Sequence, residues 1–299
     1  MTKEATIVKP QFIGIGAARA GTTWIFKQLD QHPDVWTPRI KELHYFTRST
    51  AYSGPSHLSV EGRMPRLLGV GPGPNKYRTH FFRAVGSNIL RPSMAKLRWD
   101  AKYFFERPND DWYRSLFEDA GDKIAGEITP RYSILTRWDI QNIKASFPDI
   151  KIIYIMRDPV ERVWSLLKYH EKRWQPGLSA KAMTDLVGEA FHPAKIEQSN
   201  YDVILKNWRS VFPESQFFTC FFDQITEEPE RLARQLFDFL EIGTSTSASS
   251  SGKINASSDK EMPAELRRML IEYYRPMVQQ LSDSEGGYFS KWLESYGTT

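Results

Sequence analysis

The sequence predicts an α/β fold: a central, mainly parallel sheet flanked by helices, in one domain spanning residues 1–299. Three observations predict it. Short, continuous apolar runs alternate with longer amphipathic stretches, the pattern of buried parallel strands joined by helical crossovers. The first run, "FIGIG" (12–16), passes through a glycine turn straight into a helical stretch. The bulkiest, "DIKIIYIMRDP" (149–159), sets Ile152, Ile153, Tyr154, Ile155 and Met156 in succession and ends in a helix-start signal.

The elements follow in order. After "FIGIG", the stretch "TTWIFKQLDQHP" reads as a helix with Trp24, Ile25 and Leu29 on one face and Pro33 at its end. "KIAGEITP" (123–130) is a second strand. The helix after Met156 has Asp158 as N-cap, Pro159 in its first turn and Glu161 to complete a capping box. A helix over 201–213 precedes a strand, "QFFTCFFDQI" (216–225), and an amphipathic helix, "EPERLARQLFDFLEI". The chain closes with a helix, "PAELRRMLIEYYRPMVQQL", and a docking segment, "YFSKWLESY".

Composition narrows the class. A chain of 299 residues with 40% hydrophobic content can bury about three quarters of its extended surface. The lone Cys220 excludes an internal disulfide and sits in an apolar setting that suits a buried structural thiol. "MTKEATIVKP" lacks the apolar core of a signal peptide, and no run approaches the roughly 20 apolar residues of a membrane span. The expectation is a soluble, cytoplasmic protein without a transmembrane segment.

Two segments stand outside the alternating pattern. The first is a basic insertion at about 53–110. Between Gly54 and Trp99 it has eight Lys or Arg and one acid, Glu61, so it carries +7 of a net +4. Its "GVGPGPNKY" cluster discourages long regular structure. It reads as a solvated insertion or as a basic wall facing an anionic ligand or a peripheral anionic surface; nothing in it suggests nucleic-acid binding. The second is a flexible Ser-rich loop at about 243–260, too polar for core.

Three clusters carry chemistry. Gly16 and Gly21 have the spacing of a phosphate-binding loop, which makes the fold P-loop-like. Such a turn aims unpaired N–H groups and the positive end of the helix dipole at an anion. Thr22 and Thr23 add hydroxyls, and Arg19 adds a planar cation. An ATP loop would have lysine where Thr22 stands, and a magnesium-binding carboxylate in place of Arg157. The second cluster is therefore Arg157 at a strand end with Ser165 eight residues on, a clamp for a second phosphate. The third is "RIKELHYF" (39–46), where Glu42 and His44 reach the same face if the segment is extended.

"ARAGTTW" resembles the 5′-phosphosulfate loop of sulfotransferases, and "IMRDPVERVWS" resembles their 3′-phosphate motif. "KELHYF" (41–46), "SNYDVILKNWRSVFPESQ" (199–216) and "FDFLEI" (237–242) extend the resemblance. The motif style is that of bacterial and heparan-sulfate-type members. The resemblance implies transfer of a sulfuryl group from 3′-phosphoadenosine 5′-phosphosulfate (PAPS) to a hydroxyl or amine, with the bisphosphate PAP as product and no metal. By the same resemblance Arg19, Ala20, Gly21, Thr22 and Thr23 would hold the 5′-phosphosulfate, and Trp24 would stack on adenine or pack in the core. Arg157 and Ser165 would hold the 3′-phosphate, and Lys253 in the Ser-rich loop would cover the donor. Glu42 is the implied base, with His44 as helper or substrate contact; Arg19, where the family usually has lysine, is implied as catalytic too, neutralising the phosphate oxygen as the bond to sulfur breaks. Arg131 faces the acceptor pocket, and Tyr201 is a recurrent aromatic or a core residue. The acceptor is a small molecule, glycan or lipid. The alternatives are a P-loop nucleotide kinase, which would need magnesium and a loop lysine, and a non-catalytic polyanion-binding module.

Overall fold

The computed structural model describes residues 9–53, 56–60, 62–68, 76–90, 93–173, 183–243 and 260–297. The chain begins with β1 (Phe12–Gly16), α1 (Thr22–Asp30) and β2 (Val35–Trp36). The insertion then forms α2 (Arg63–Leu68), α3 (Lys76–Leu90), α4 (Met94–Phe105) and α5 (Asp110–Ser115). β3 (Ile124–Ile128), α6 (Arg137–Ser146), β4 (Lys151–Met156) and α7 (Pro159–Arg173) follow. After α8 (Met183–Ala190), α9 (Pro193–Ile196) and α10 (Tyr201–Arg209) comes β5 (Phe217–Phe221). The chain ends with α11 (Phe222–Glu227), α12 (Pro229–Leu240), α13 (Ala264–Glu285) and α14 (Tyr288–Ser295).

The five strands form one all-parallel sheet in the order β2-β3-β1-β4-β5. β1 is central, with β3 on one side and β4 on the other, so the chain's direction of travel across the sheet reverses beside it. Ligands in such sheets bind beyond the carboxyl ends of strands at that reversal. The glycine loop after β1 and the "RDP" after β4 are thereby neighbours, and Ala17 N donates to Ile155 O at 2.6 Å. β1 is fully buried and β4 nearly so, which explains their unbroken apolar character.

Several expectations hold locally. Asp158 caps α7, its Oδ1 accepting from Val160 N at 2.8 Å and Glu161 N at 3.2 Å. Glu161, expected to complete a capping box, instead pairs its carboxylate with Arg267 on α13. Cys220 is buried, and burial pushes its thiol pKa up. Phe289, Trp292 and Tyr296 of the closing segment dock in the core.

Other expectations need correction. The strand expected over 216–225 stops at Phe221, where the Gln224 side chain accepts the Phe221 N–H at 2.8 Å and starts α11. The expected absence of long regular structure in the insertion is also wrong. Its Pro–Gly cluster lies at 69–75, outside the described residues, and beyond it α3 and α4 run 15 and 12 residues. They form because Tyr77 and Phe81 pack on Phe104, and the Tyr77 hydroxyl donates to Phe104 O at 2.7 Å. Among the described residues no helix is long and apolar enough to cross a membrane.

Candidate active site

The first wall of the site is the turn between β1 and α1. Gly21 has φ 101°, and a Cβ there would lie 2.4 Å from Ile225 Cδ1, so only glycine fits both the conformation and the space. At Gly16, with φ 145°, a Cβ would lie 2.7 Å from Pro130 O. No side chain caps α1 and its first turn has no acid. Its leading N–H groups and the positive dipole end therefore point at the site beside Thr22 and Thr23.

The second wall joins the two anion-binding motifs. Arg19, expected on the 5′-phosphosulfate, is turned toward α7. Its Nε donates to Ser165 Oγ at 3.2 Å, and its guanidinium lies 4.8 Å from the Tyr169 ring, one turn further along α7. Arg157 Nη1 donates to Arg19 O at 3.2 Å, and its guanidinium sits 4.3 Å from the Phe222 ring. Burial lowers the pKa of both arginines; for Arg19 the neighbouring Arg157 lowers it further. Two cations held together in a desolvated pocket repel, and an anion between them relieves both penalties. Tyr201 fixes the corner, its hydroxyl donating to Arg157 O at 2.6 Å. Arg162 is fully buried and pins the loop from below through Ala18 O at 3.4 Å, Ser199 Oγ and Lys195 O.

The third wall is the 39–46 segment. It does not meet the condition of an extended segment: Glu42 and His44 have φ 65° and 59°. The kinks are held by groups at the end of β3. Leu43 N donates to Glu127 Oε2 at 3.1 Å, His44 N to Thr129 Oγ1 at 3.4 Å and Tyr45 N to Tyr132 OH at 3.0 Å. Glu127 is buried and also accepts from Thr129 Oγ1 at 2.7 Å, Tyr132 OH at 2.7 Å and Tyr113 OH at 3.0 Å. Burial raises its pKa, against the lowering effect of those bonds.

This folded-back loop brings charges together. His44 Nε2 lies 3.6 Å from Glu42 Oε2, with Thr47 Oγ1 at 3.4 Å from His44 Nδ1. Lys41 Nζ lies 3.2 Å from Thr23 Oγ1 and 3.9 Å from Glu42 Oε1. The reach of Lys41 to the phosphate loop depends on the kink. Four non-glycine residues among those described have positive φ, and three are Arg19, Glu42 and His44. Each such conformation costs on the order of 1–3 kcal/mol and persists where surroundings impose it, a mark of functional loops.

The remaining expected residues are placed as follows. Ala20 is buried in the loop, and Trp24, 5% exposed, packs in the core. Arg131 is tied to Glu197 Oε1 at 3.4 Å and Ser53 Oγ at 3.3 Å. Lys253 lies outside the described residues. Among the described residues no group of three or more His, Cys, Asp or Glu could hold a metal ion. The residues that sequence reasoning missed are Lys41 as a partner of Thr23, Glu127 as the anchor of the loop, and Tyr169.

The sulfotransferase family profile matches residues 10–246. The human protein named carbohydrate sulfotransferase 15 is 22% identical over 317 residues, covering 91% of this chain and 53% of that protein. The mouse protein named heparan sulfate glucosamine 3-O-sulfotransferase 6 is 28% identical over 205 residues, covering 62% of this chain and 59% of its own. The chain thus spans just over half the length of these relatives. The crystal structure of a sulfotransferase from Alicyclobacillus acidocaldarius superposes with TM-score 0.63 at 21% identity, covering 95% of this chain and 99% of that one. A sulfotransferase domain from the Synechococcus PCC 7002 olefin synthase gives 0.55 at 16% identity, covering 89% and 94%. With a family match over residues 10–246, most of its length, the chain belongs to the sulfotransferase family.

Proposed function

We propose that the protein transfers a sulfuryl group from PAPS to an acceptor hydroxyl or amine. The observation that carries this reading is the joining of two anion sites: Arg19 Nε and Ser165 Oγ, 3.2 Å apart, link the loop of β1 to the helix of β4. A donor with separated 5′ and 3′ anionic groups fits that arrangement, and an ordinary nucleotide uses only half of it.

The residues present fit such a donor. The glycine cradle at Gly21 leaves no room for a side chain, and the first-turn N–H groups of α1 with Thr22 and Thr23 suit the 5′-phosphosulfate. Arg157, Ser165 and Arg19 suit the 3′-phosphate. The donor supplies the activated sulfuryl group; the chain supplies position, charge and a base. Glu42 takes the acceptor proton as the nucleophile attacks, and His44, buried against it, orients the carboxylate. Lys41 stands where negative charge develops as the bond to sulfur breaks, beside Thr23 and the dipole of α1. Arg19 is thereby released from the role that lysine has at its position elsewhere in the family. It serves the 3′-phosphate instead.

The acceptor class that the relatives' names support is a glycan hydroxyl. The test is transfer from labelled PAPS to a panel of such acceptors, by the native protein and by Glu42→Gln. The native protein is expected to transfer label, and Glu42→Gln to bind PAP while losing turnover. Equal turnover in the two proteins would remove Glu42 as the base.

A further inference from the structure

We propose that the helical hairpin of the insertion, α3 with α4, docks the protein on an anionic lipid bilayer. An observation of sequence and one of structure meet there. Between Gly62 and Trp99 there are eight Lys or Arg and no Asp or Glu. Of the twelve large apolar side chains that are exposed among the described residues, nine fall between Met64 and Phe105. Such residues are normally scattered singly over a soluble surface, and a contiguous set marks a binding face.

The helical period separates two faces. On α3, Tyr77 and Phe81 turn toward α4, where they meet Phe104. The row of Phe82, Val85 and Ile89 lies about a quarter turn round the helix from them and is 64, 41 and 75% exposed. On α4, Met94 and Leu97 are exposed as well, at 74 and 43%. The exposed Arg78, Arg83 and Arg98 lie on the same two helices.

The combination selects the occupant. A second copy of the chain, related by a two-fold axis, would bring the same arginines face to face. A soluble polyanion would use the arginines and leave the apolar row in water. An anionic bilayer uses both: apolar side chains enter the boundary between headgroups and acyl chains while arginines meet lipid phosphates.

The hairpin is also fixed to the loop that carries Glu42. Arg39 Nη1 bonds Asp100 Oδ2 at 2.7 Å and Lys96 O at 2.9 Å on α4. His57 Nε2 lies 2.8 Å from the Tyr103 hydroxyl, and its ring centroid lies 6.4 Å from that of His44. Docking would therefore bring the Glu42 loop toward membrane-borne acceptors. That consequence rests on the sulfotransferase reading; the docking itself does not.

The test is flotation of the protein with vesicles of phosphatidylglycerol mixed into phosphatidylcholine, against vesicles of phosphatidylcholine alone. Binding is expected only to the anionic vesicles, and it weakens as salt rises. The double variant Ile89→Glu/Met94→Glu abolishes it. Arg78→Ala/Arg83→Ala weakens it by about fivefold for each arginine removed. Both variants keep the native Tm and PAP affinity. Failure of the native protein to float with anionic vesicles would overturn the proposal, as would full binding by Ile89→Glu/Met94→Glu. A native dimer that this variant dissociates would make the face a subunit interface, and binding of a soluble sulfated polysaccharide without vesicle binding would assign it to a glycan. Native protein that floats but binds no PAP would sink the sulfotransferase reading and leave the docking standing.

Discussion

Lys41 Nζ lies 3.2 Å from Thr23 Oγ1, one residue before Glu42 in the chain and directly beside the N-terminus of α1. The phosphate loop lacks a lysine in its own sequence, and the fold delivers one from the next segment. Arg19, the cation that the loop does contain, is turned toward Ser165 and Tyr169. In the function proposed above, the two positive charges divide the donor between them.

This division predicts opposite kinetic signatures. Lys41→Ala is expected to lower kcat about 100-fold, the size of effect that follows loss of one group stabilising developing charge, with little change in PAP affinity. Arg19→Ala is expected to act mainly on PAP affinity. Steady-state kinetics with nucleotide titration separates the two, and a Lys41→Ala loss confined to affinity would refute the assignment.

Glu127 accepts hydrogen bonds from Leu43 N, Thr129, Tyr132 and Tyr113 while fully buried. Glu127→Gln replaces an acceptor by a donor that faces those donors. Leaving buried polar groups unpaired costs about 1–3 kcal/mol, so a lowered Tm is expected, together with loss of turnover as the Glu42 loop relaxes. PAP binding, made on the other two walls, should persist. A Tm and kcat both unchanged from the native protein would show that Glu127 does not hold the loop.

Asp158 gives a pH dependence. Burial is the main cause that raises its pKa from 3.8 to about 6, opposed by its capping bonds to α7. A carboxyl whose folded pKa is raised contributes stability that is present below its ordinary pKa and is lost as pH rises through the folded value. The gap between 3.8 and about 6 corresponds to about 3 kcal/mol. Asp158→Asn keeps an oxygen for the cap but does not titrate. The variant is therefore expected to gain stability relative to the native protein as pH rises from 4 to above 6. Thermal melts across that range check it; parallel curves would contradict it.

How far the sequence revealed this site depends on the range of each contact. The β1 turn and the Asp158 cap are set by neighbours within a few residues, so Gly21, Thr22, Arg157 and Ser165 were legible. The Leu43–Glu127 bond spans 84 residues, and nothing near Glu127 marks it as more than a strand residue. The kinks at Glu42 and His44 exist only because that bond and its neighbours impose them, so an extended segment was the natural reading. Lys41 reaches Thr23 as a result of the same kinks. The two-residue strand β2 carries too little pattern to be seen. In the insertion, a proline–glycine cluster outweighed the helical period of Tyr77, Phe81 and their partners.

The central claim is that this chain binds a doubly anionic donor through a 3′-phosphate clamp. It is tested most directly by calorimetric titration of native protein and Arg157→Ala with PAP and with its 3′-dephospho analogue, AMP. Loss of one charge-assisted contact predicts PAP binding weakened by about 10- to 100-fold, with AMP binding nearly unchanged. Equal losses for the two nucleotides, or no preference of the native protein for PAP, would contradict the account.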